Sequence, residues 1–340
     1  MNANAWLPPL LIASSLVPGL IIFTLGEELR RLRTALNLFG ASVKLLLVVV
    51  MLRGVYRGQV YETSIPLLPD LDMTLRADPL PMLFVTLSAV LWLVTTVYAI
   101  GYLEGSPNRS RFFGFFSLCV SSTVGIAMAG DLLTLLVFYE MLTLTTYPLV
   151  VHRGTKEALR AGRTYLVYTL GGSVLLLIGI AWLHTLTGDL HFEETGRLRG
   201  LPAELDGPLR WIFAMLVAGF GVKAALVPLH GWLPQAMVAP APVSALLHAV
   251  AVVKAGAFGI VRVVSDVYGI DFANDLGVLV PLAVAASVTI VYGSFRALQQ
   301  DDLKKRLAYS TISQVSYIVL GVAMGTPLAT MGGIVHLVHQ

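Results

Sequence analysis

Long apolar runs alternate with short polar connections along the whole chain. Each run has about 17 or more residues, the length a helix needs to cross roughly 30 Å of hydrocarbon. The pattern predicts an all-α, polytopic membrane protein with about ten to eleven transmembrane helices, the last of them incomplete at Gln340. Ten complete runs lie at 6–25, 35–52, 80–102, 112–129, 131–151, 163–186, 210–228, 241–264, 276–296 and 305–325.

The composition agrees with a chain that lives in lipid. Hydrophobic residues make up 56% of the sequence and charged residues 13%, and the mean hydropathy is +0.78. The net charge is +3, with the basic residues gathered in short connections, which is typical of membrane topology and argues against nucleic acid as a partner. The lone cysteine, Cys119, can form no internal disulfide and is interpreted as a packing residue.

Basic residues predict the orientation, because short connections rich in Lys and Arg stay in the cytoplasm. They cluster after the first, third, fifth and ninth runs, which places the N-terminus outside a cell (inner) membrane. The first run has no charge before it and basic residues after it, the reverse of a secretory signal, so it is predicted to stay as an anchor. The opposite side carries the acid-rich connection from Gly188 to Arg210, whereas Arg53, Arg57 and Arg76 disagree with the pattern.

Three ionisable side chains stand out by their position within the predicted helices: Glu140, Lys223 and Lys254. Each costs on the order of 2.5–3.5 kcal/mol at mid-membrane unless it is paired, hydrated or neutralised. One interpretation is a structural ion pair between Glu140 and Lys223. Replacing a buried pair by apolar residues is often neutral or stabilising, however, and Lys254 has no acidic partner in its own run. The set therefore favours function, with Glu140 switching whether Lys223 holds its proton.

A helix break is predicted beside Lys223. In GFGVKAALVPLHGWLPQA (219–236), Pro228 removes a backbone donor and clashes with the preceding turn. Non-helical backbone at membrane depth is tolerated only where protein buries it or where it lines a hydrated cavity, so the break predicts local water. His230 is interpreted as interfacial and Trp232 as part of an aromatic belt at the membrane surface.

Histidines add three further candidates. His248 lies six residues before Lys254, about 9 Å along one continuous helix, so one water could connect the two side chains. His336 and His339 are spaced to share a metal on a helix, but their segment has no Cys, Asp or Glu to complete the site, and a polar link in a proton path is favoured for His336. No metal site is predicted. No haem, flavin, iron–sulfur or quinone motif is recognisable, so no cofactor is predicted either.

Several motifs, in order along the chain, resemble the antiporter-like membrane subunits shared by respiratory complex I, Mrp-type cation/proton antiporters and membrane-bound hydrogenases. FYEMLTLTTYPLV resembles the fifth-helix motif and places its glutamate on Glu140. GFGVKAALVPLHGWLPQAMVAPAPVSALLHAVAVVKAGAFGIVR resembles the signature of a discontinuous seventh helix and the eighth helix, with Lys223, His248 and Lys254 at its polar positions. QQDDLKKRLAYSTISQVSYIVLG and GGIVHLVHQ resemble the next two motifs, the latter with His336.

The resemblance implies an antiporter-like fold of two inverted five-helix repeats. It divides the chain into N-terminal transmembrane helices over 1–102, a first five-helix repeat over 103–264 and an incomplete second repeat over 265–340, with the broken helix at 210–236. The second broken helix of the family would lie beyond position 340. We therefore expect a truncated second repeat, completed by further sequence or by a partner subunit.

The resemblance also implies a function: proton movement in the membrane plane along Glu140, Lys223, His248 and Lys254. The expected partners are other membrane subunits of a larger complex, protons and the lipid bilayer. Whether sodium or potassium is exchanged stays open, as does the identity of the host complex. The alternative is a non-conducting scaffold subunit of the same kind of complex, and a membrane enzyme with its own redox centre has little support.

Overall fold

The computed structural model describes residues 3–68 and 71–339, and this part of the chain is mainly helical. Fourteen α-helices occur there, some of them short pieces of interrupted spans. They are α1 (Leu7–Phe23), α2 (Arg30–Tyr56), α3 (Pro79–Tyr102), α4 (Arg109–Ala127), α5 (Leu132–Val150), α6 (Lys156–Thr187), α7 (Asp206–Ala224), α8 (Trp232–Gln235), α9 (Ala241–Ala245), α10 (Val252–Arg262), α11 (Ile270–Asp275), α12 (Leu279–Leu298), α13 (Leu303–Ala323) and α14 (Pro327–His339).

Nine helical segments in the described part are long and apolar enough to cross a membrane. They are Asn4–Phe23, Arg30–Tyr56, Pro79–Tyr102, Arg109–Ala127, Leu132–Val150, Lys156–Thr187, Ala203–Ala224, Ala241–Tyr268 and Leu279–Leu298. The tenth predicted span corresponds to α13, which has 21 residues but is more polar because it carries serines, tyrosines and Gln314. The polytopic helical architecture predicted from the sequence is confirmed.

A β-hairpin after α2 is an element that the hydrophobic pattern does not predict. Strands β1 (Tyr61–Leu68) and β2 (Leu71–Ala77) pair antiparallel. The hairpin lies on the turn between α4 and α5, where Gly130 N donates to Thr74 O at 2.8 Å and Thr74 N donates to Asp131 Oδ2 at 3.1 Å. Because Asp131 also caps α5, the hairpin fixes the N-terminal end of the helix that carries Glu140.

The chain forms two compact units. We call Met1–Ala158 with Ala239–Ala251 the N-terminal unit, and Leu159–Val238 with Val252–Gln340 the C-terminal unit. In the N-terminal unit α1 packs on α2 and α4, α4 on α5 and α2 on α3; in the C-terminal unit α7 packs on α10, and α13 on α12 and α14. The two units are defined by which residues contact one another, and not by a structural repeat. They therefore do not test the predicted division of the chain at positions 102 and 264, which stays a prediction.

Candidate functional site

The predicted helix break lies at the C-terminal end of α7. Ala225 adopts the left-handed conformation, with φ of +57°. Its N–H donates to Val222 O at 3.1 Å, and Leu226 N donates to Gly221 O at 2.9 Å, which is the pair of bonds that defines a Schellman motif. The helix therefore ends at Ala224, four residues before Pro228, because capping, and not the proline alone, stops it.

Side chains of the C-terminal unit bind the non-helical backbone that follows. Thr289 Oγ1, on α12, accepts from Val227 N at 3.0 Å. Lys304 Nζ, on α13, donates to Met237 O at 2.6 Å. Backbone groups at membrane depth need such partners because lipid supplies none, so the break is built into the protein.

Trp232 is not the interfacial residue that its sequence position predicts. Its side chain is fully buried, and its indole Nε1 donates to Val222 O at 2.7 Å, in the last turn of α7. Tyr165 on α6 packs edge-on against the indole, with ring centroids 5.4 Å apart. The aromatic-belt interpretation is wrong because the chain folds back at the break and carries Trp232 beneath the helix end.

Lys223 lies on α7 and Lys254 on α10, two helices that pack together in the C-terminal unit, and both side chains are fully buried. The contact is close at Gly256, on α10. A Cβ at Gly256 would lie 2.2 Å from Ala224 N and 2.7 Å from the carbonyl carbon of Lys223, so only glycine allows the two backbones to approach this far. Lys254 Nζ also donates to Leu337 O, on α14, at 3.0 Å.

His336 is next to this last contact. It lies on α14 beside Leu337, and its Nε2 is 2.9 Å from Gln314 Oε1 on α13. The Tyr317 ring centroid is 5.4 Å away. Three of the predicted residues, Lys223, Lys254 and His336, thus belong to the C-terminal unit, and the bond from Lys254 to Leu337 O brings Lys254 next to His336 on α14. Among residues 3–68 and 71–339, no group of three or more His, Cys, Asp or Glu side chains is placed to hold a metal.

Glu140 and His248 belong to the N-terminal unit. Glu140 is half-buried on α5, nine residues after the Asp131 cap and therefore roughly 13 Å along the helix, which is near mid-membrane. His248 lies on a π-helical segment, Leu246–Val250.

The prediction that His248 and Lys254 share one continuous helix is wrong. Ala251 leaves helical geometry, with φ of −133° and ψ of −75°, so the span Ala241–Tyr268 is interrupted between the two residues. A rise of 1.5 Å per residue, which assumes an unbroken helix, does not apply to this segment. π-Helical turns often occur at functional sites, and the same span ends in a second one, Val263–Tyr268.

Sequence reasoning missed a buried ion pair at the end of this span. Arg262 and Asp266 are 5% and 7% exposed, and Arg262 Nη1 donates to Asp266 Oδ2. The guanidinium lies 5.1 Å from the Phe192 ring centroid and 5.2 Å from that of Phe258. An Arg followed by Asp four residues later in an apolar run was the available signal, but the predicted helix ended at position 264.

Comparison with known proteins agrees with this architecture. Residues 129–339 match the family described as NADH:quinone oxidoreductase/Mrp antiporter, transmembrane region. This chain belongs to that family. Residues 68–113 also match the N-terminal region of complex I chain 5. The resemblance drawn from the motifs around Glu140, Lys223 and Lys254 is thereby confirmed at the level of the family.

Individual relatives include a subunit of an NADH-quinone oxidoreductase and a subunit of a cation/proton antiporter. The chain is 36% identical over 279 residues, 80% of its length, to NADH-quinone oxidoreductase subunit N of Desulforudis audaxviator, of which it covers 54%. It is 28% identical over 346 residues, 99% of its length, to a Na(+)/H(+) antiporter subunit of Alkalihalophilus pseudofirmus, of which it covers 67%. The chain therefore spans about half to two thirds of these relatives.

Solved structures show the same fold. The chain superposes on a chain of the membrane-bound sulfane sulfur reductase, an archaeal respiratory membrane complex, with a TM-score of 0.84 and 26% identity, covering 97% of this chain and 67% of that one. A chain of the Mrp complex from Dietzia sp. matches with a TM-score of 0.86 and 24% identity, covering 100% and 62%. The chain thus has the fold of the antiporter-like membrane subunits in these two complexes.

Proposed function

We propose that this chain translocates protons within a multi-subunit membrane complex, with Lys223 and Lys254 as the groups that bind and release them. The observation that carries the proposal is the burial of both amines on two helices in backbone contact at Gly256. Taking an ammonium group out of water is costly, so each buried amine can release its proton as well as hold it.

The interrupted backbone beside Lys223 supports this role. In a continuous helix each carbonyl accepts from an N–H of the same helix. At the end of α7, by contrast, the carbonyls accept from the Trp232 indole and from the backbone of the turn. Such polar backbone can hold water next to an amine in an otherwise apolar region. We propose that Glu140 and His248, the half-buried ionisable groups of the N-terminal unit, complete the path, and that His336 extends it along α14.

The test is proton uptake into vesicles that contain the assembled complex. Glu140→Gln and Lys223→Ala should abolish uptake, because each removes a group that carries or stabilises the moving charge. Matched controls are Glu157→Gln and Lys305→Ala, which alter exposed residues of the same types and should leave uptake unchanged. Wild-type uptake in both Glu140→Gln and Lys223→Ala would overturn the proposal.

Two further arms address the ion and the alternative. Replacing the sodium gradient by a potassium gradient of equal size would show which cation, if either, is exchanged for protons. The scaffold alternative predicts that the complex loses proton flux only when the whole subunit is removed and the complex falls apart. Flux lost in Lys223→Ala with every subunit still present would support conduction over scaffolding.

A further inference from the structure

A further buried charge, Lys44, lies in the N-terminal unit, apart from the residues discussed so far. Helix α2 carries a polar stripe, Arg33, Asn37 and Lys44, whose spacings of four and seven residues place all three on one face. Their exposed fractions are 2%, 1% and 0%, so this face is turned into the unit rather than towards lipid. The hydrophobic pattern includes this lysine in the run 35–52 and gives no sign of its surroundings.

The contacts of Lys44 are with neutral groups. Its Nζ donates to Ser15 Oγ, on α1, at 2.7 Å, and the Ser15 and Ser121 hydroxyl oxygens are 2.8 Å apart. The Trp92 ring centroid lies 5.0 Å from Nζ. Gly40 makes the site possible, because a Cβ there would lie 2.7 Å from Ser14 O and would hold α2 away from α1.

Polar contacts continue from this site along α2 towards the end of the helix. Ser117, one turn before Ser121 on α4, donates through Oγ to Asn37 Oδ1 at 3.3 Å. Asn37 Nδ2 donates to Arg33 O at 3.1 Å, and Arg33 Nη1 donates to Ser110 Oγ at 2.9 Å. The eleven residues from Arg33 to Lys44 correspond to roughly 16 Å, about half the hydrocarbon thickness.

Glu27 connects this row of polar groups to water. Its carboxylate accepts from Ser110 N at 2.9 Å and from Arg109 Nε at 3.3 Å, and it lies 3.8 Å from Arg33 Nη1. The side chain is 44% exposed. Burial acts to raise the pKa of Glu27, but the bonds from Ser110 and Arg109 together with the charge of Arg33 outweigh it and lower the pKa below its ordinary value. The row of polar groups therefore ends, at its water-exposed edge, in an ionised carboxylate.

Stability alone explains this arrangement poorly. A mid-membrane lysine is costly, and a hydrogen bond to a hydroxyl with a cation–π contact does no more than offset that cost. An apolar residue at position 44 would avoid the cost altogether. A carboxylate partner would hold the ammonium permanently, whereas a hydroxyl binds it weakly enough for the proton to leave.

We propose that Lys44 is a second proton-binding site of this chain, in contact with the aqueous edge at Glu27 through the polar row on α2. When Lys44 gives up its proton, Ser15 Oγ accepts it and passes its own hydroxyl proton to Ser121, and Ser121 in turn passes its own hydroxyl proton to a water molecule, so each hydroxyl again carries one proton. Water held by Asn37 and Arg33 carries the proton onward, because amide and guanidinium groups do not exchange protons readily. Only N–H and O–H bonds form and break.

The chain offers neighbouring residues as matched controls. Ser15→Ala and Ser121→Ala remove the two hydroxyls of the site. Ser14→Ala and Ser122→Ala remove hydroxyls of the same helices that bond only to their own helix, at Leu11 O and Leu118 O. Lys44→Met removes the amine, and Lys44→Arg keeps a charge that does not leave as a proton.

The measurement is the pH profile of proton uptake by vesicles with the assembled complex. Lys44→Met and Lys44→Arg should lower uptake at least about tenfold, and Ser15→Ala and Ser121→Ala should shift the profile, since a proton relay contributes factors of this order. The serine controls should match the wild type. A structural role would instead lower uptake equally at every pH, in proportion to the complex assembled, and that result would overturn the proposal.

Wild-type uptake in Lys44→Arg and Ser15→Ala would also overturn it, even if Lys44→Met does not assemble. The inference rests on the proposed transport of protons, and the two can fail separately. Loss of uptake in Lys223→Ala with a normal profile in the Lys44 and Ser15 variants rejects the second site alone. Normal uptake in Lys223→Ala with loss in Lys44→Arg rejects the first path and supports the second.

Discussion

Gly256→Ala is the most direct perturbation of the backbone contact between α7, which carries Lys223, and α10, which carries Lys254. The added Cβ would lie 2.2 Å from Ala224 N, 2.7 Å from the Lys223 carbonyl carbon and 2.7 Å from Phe220 O. All three are backbone atoms, which cannot rotate away, so α7 and α10 must separate by roughly 1 Å to reach ordinary van der Waals distance. Overpacking of this kind costs about 1–3 kcal/mol, and it moves both lysines relative to each other.

The assay combines thermal unfolding of the assembled complex with proton uptake into vesicles. Gly256→Ala should lower the unfolding temperature and reduce uptake. Gly171→Ala is the matched control, because a Cβ at Gly171 on α6 meets nothing within 4 Å. Alanine is the better helix former by about 1 kcal/mol, so the control should be neutral or stabilising. Unchanged unfolding and uptake in Gly256→Ala would refute the close contact and the reasoning built on it.

Three other predictions concern the helix end and one loop. Trp232→Phe should lower the free energy of unfolding by about 1–3 kcal/mol, because Val222 O loses its indole donor. Thermal unfolding measures this change, and the rate of proton uptake should fall with it. Ala225→Gly should raise the unfolding temperature, since a left-handed alanine costs about 1 kcal/mol more than glycine; a lower temperature would contradict the assigned cap. Burial, with Arg111 nearby, lowers the pKa of His152 to about 4. The His152 ring is therefore neutral in the folded protein. Its contribution to the stability of the fold is complete above about pH 6.5 and is lost as the pH falls towards 4. Between pH 7 and pH 4.5, His152→Phe should therefore lose less stability than the wild type in unfolding measurements.

Hydrophobic run length alone predicts most of the transmembrane helices, because the bilayer sets one length for all of them. Pro228 predicts the break in the seventh helix, since proline cannot continue a helix. The sequence does not predict that the helix ends just before Ala225, because the Schellman bonds depend on where the chain turns in three dimensions. The β-hairpin after α2 escaped for a similar reason: its residues pair with each other and with Asp131, and no single period marks it as a strand.

The candidate site could be predicted only where a charge interrupted an apolar run conspicuously. Lys223 and Lys254 met that condition, and both side chains are buried. Lys44 also lies within an apolar run, but its partners Ser15 and Ser121 come from other helices. The sequence of that run therefore does not show what surrounds the ammonium group. Trp232 was assigned to the membrane surface because tryptophan is common there, whereas the fold-back after α7 buries it. Contacts between distant segments were the missing information in both cases.

The contact that Lys44 makes bears on how a membrane subunit could hold protons. Its Nζ donates to a neutral oxygen, Ser15 Oγ, in the N-terminal unit. A neutral acceptor stabilises an ammonium group about half as strongly as a carboxylate does, so it lowers the cost of burial without fixing the charge in place. Introducing a carboxylate tests this directly: Ser15→Asp should pair with Lys44 and raise the unfolding temperature. If the weak acceptor matters for proton exchange, the same variant should slow uptake, so that stability and activity change in opposite directions. A variant that is both more stable and as active as the wild type would show that Lys44 needs only to be accommodated.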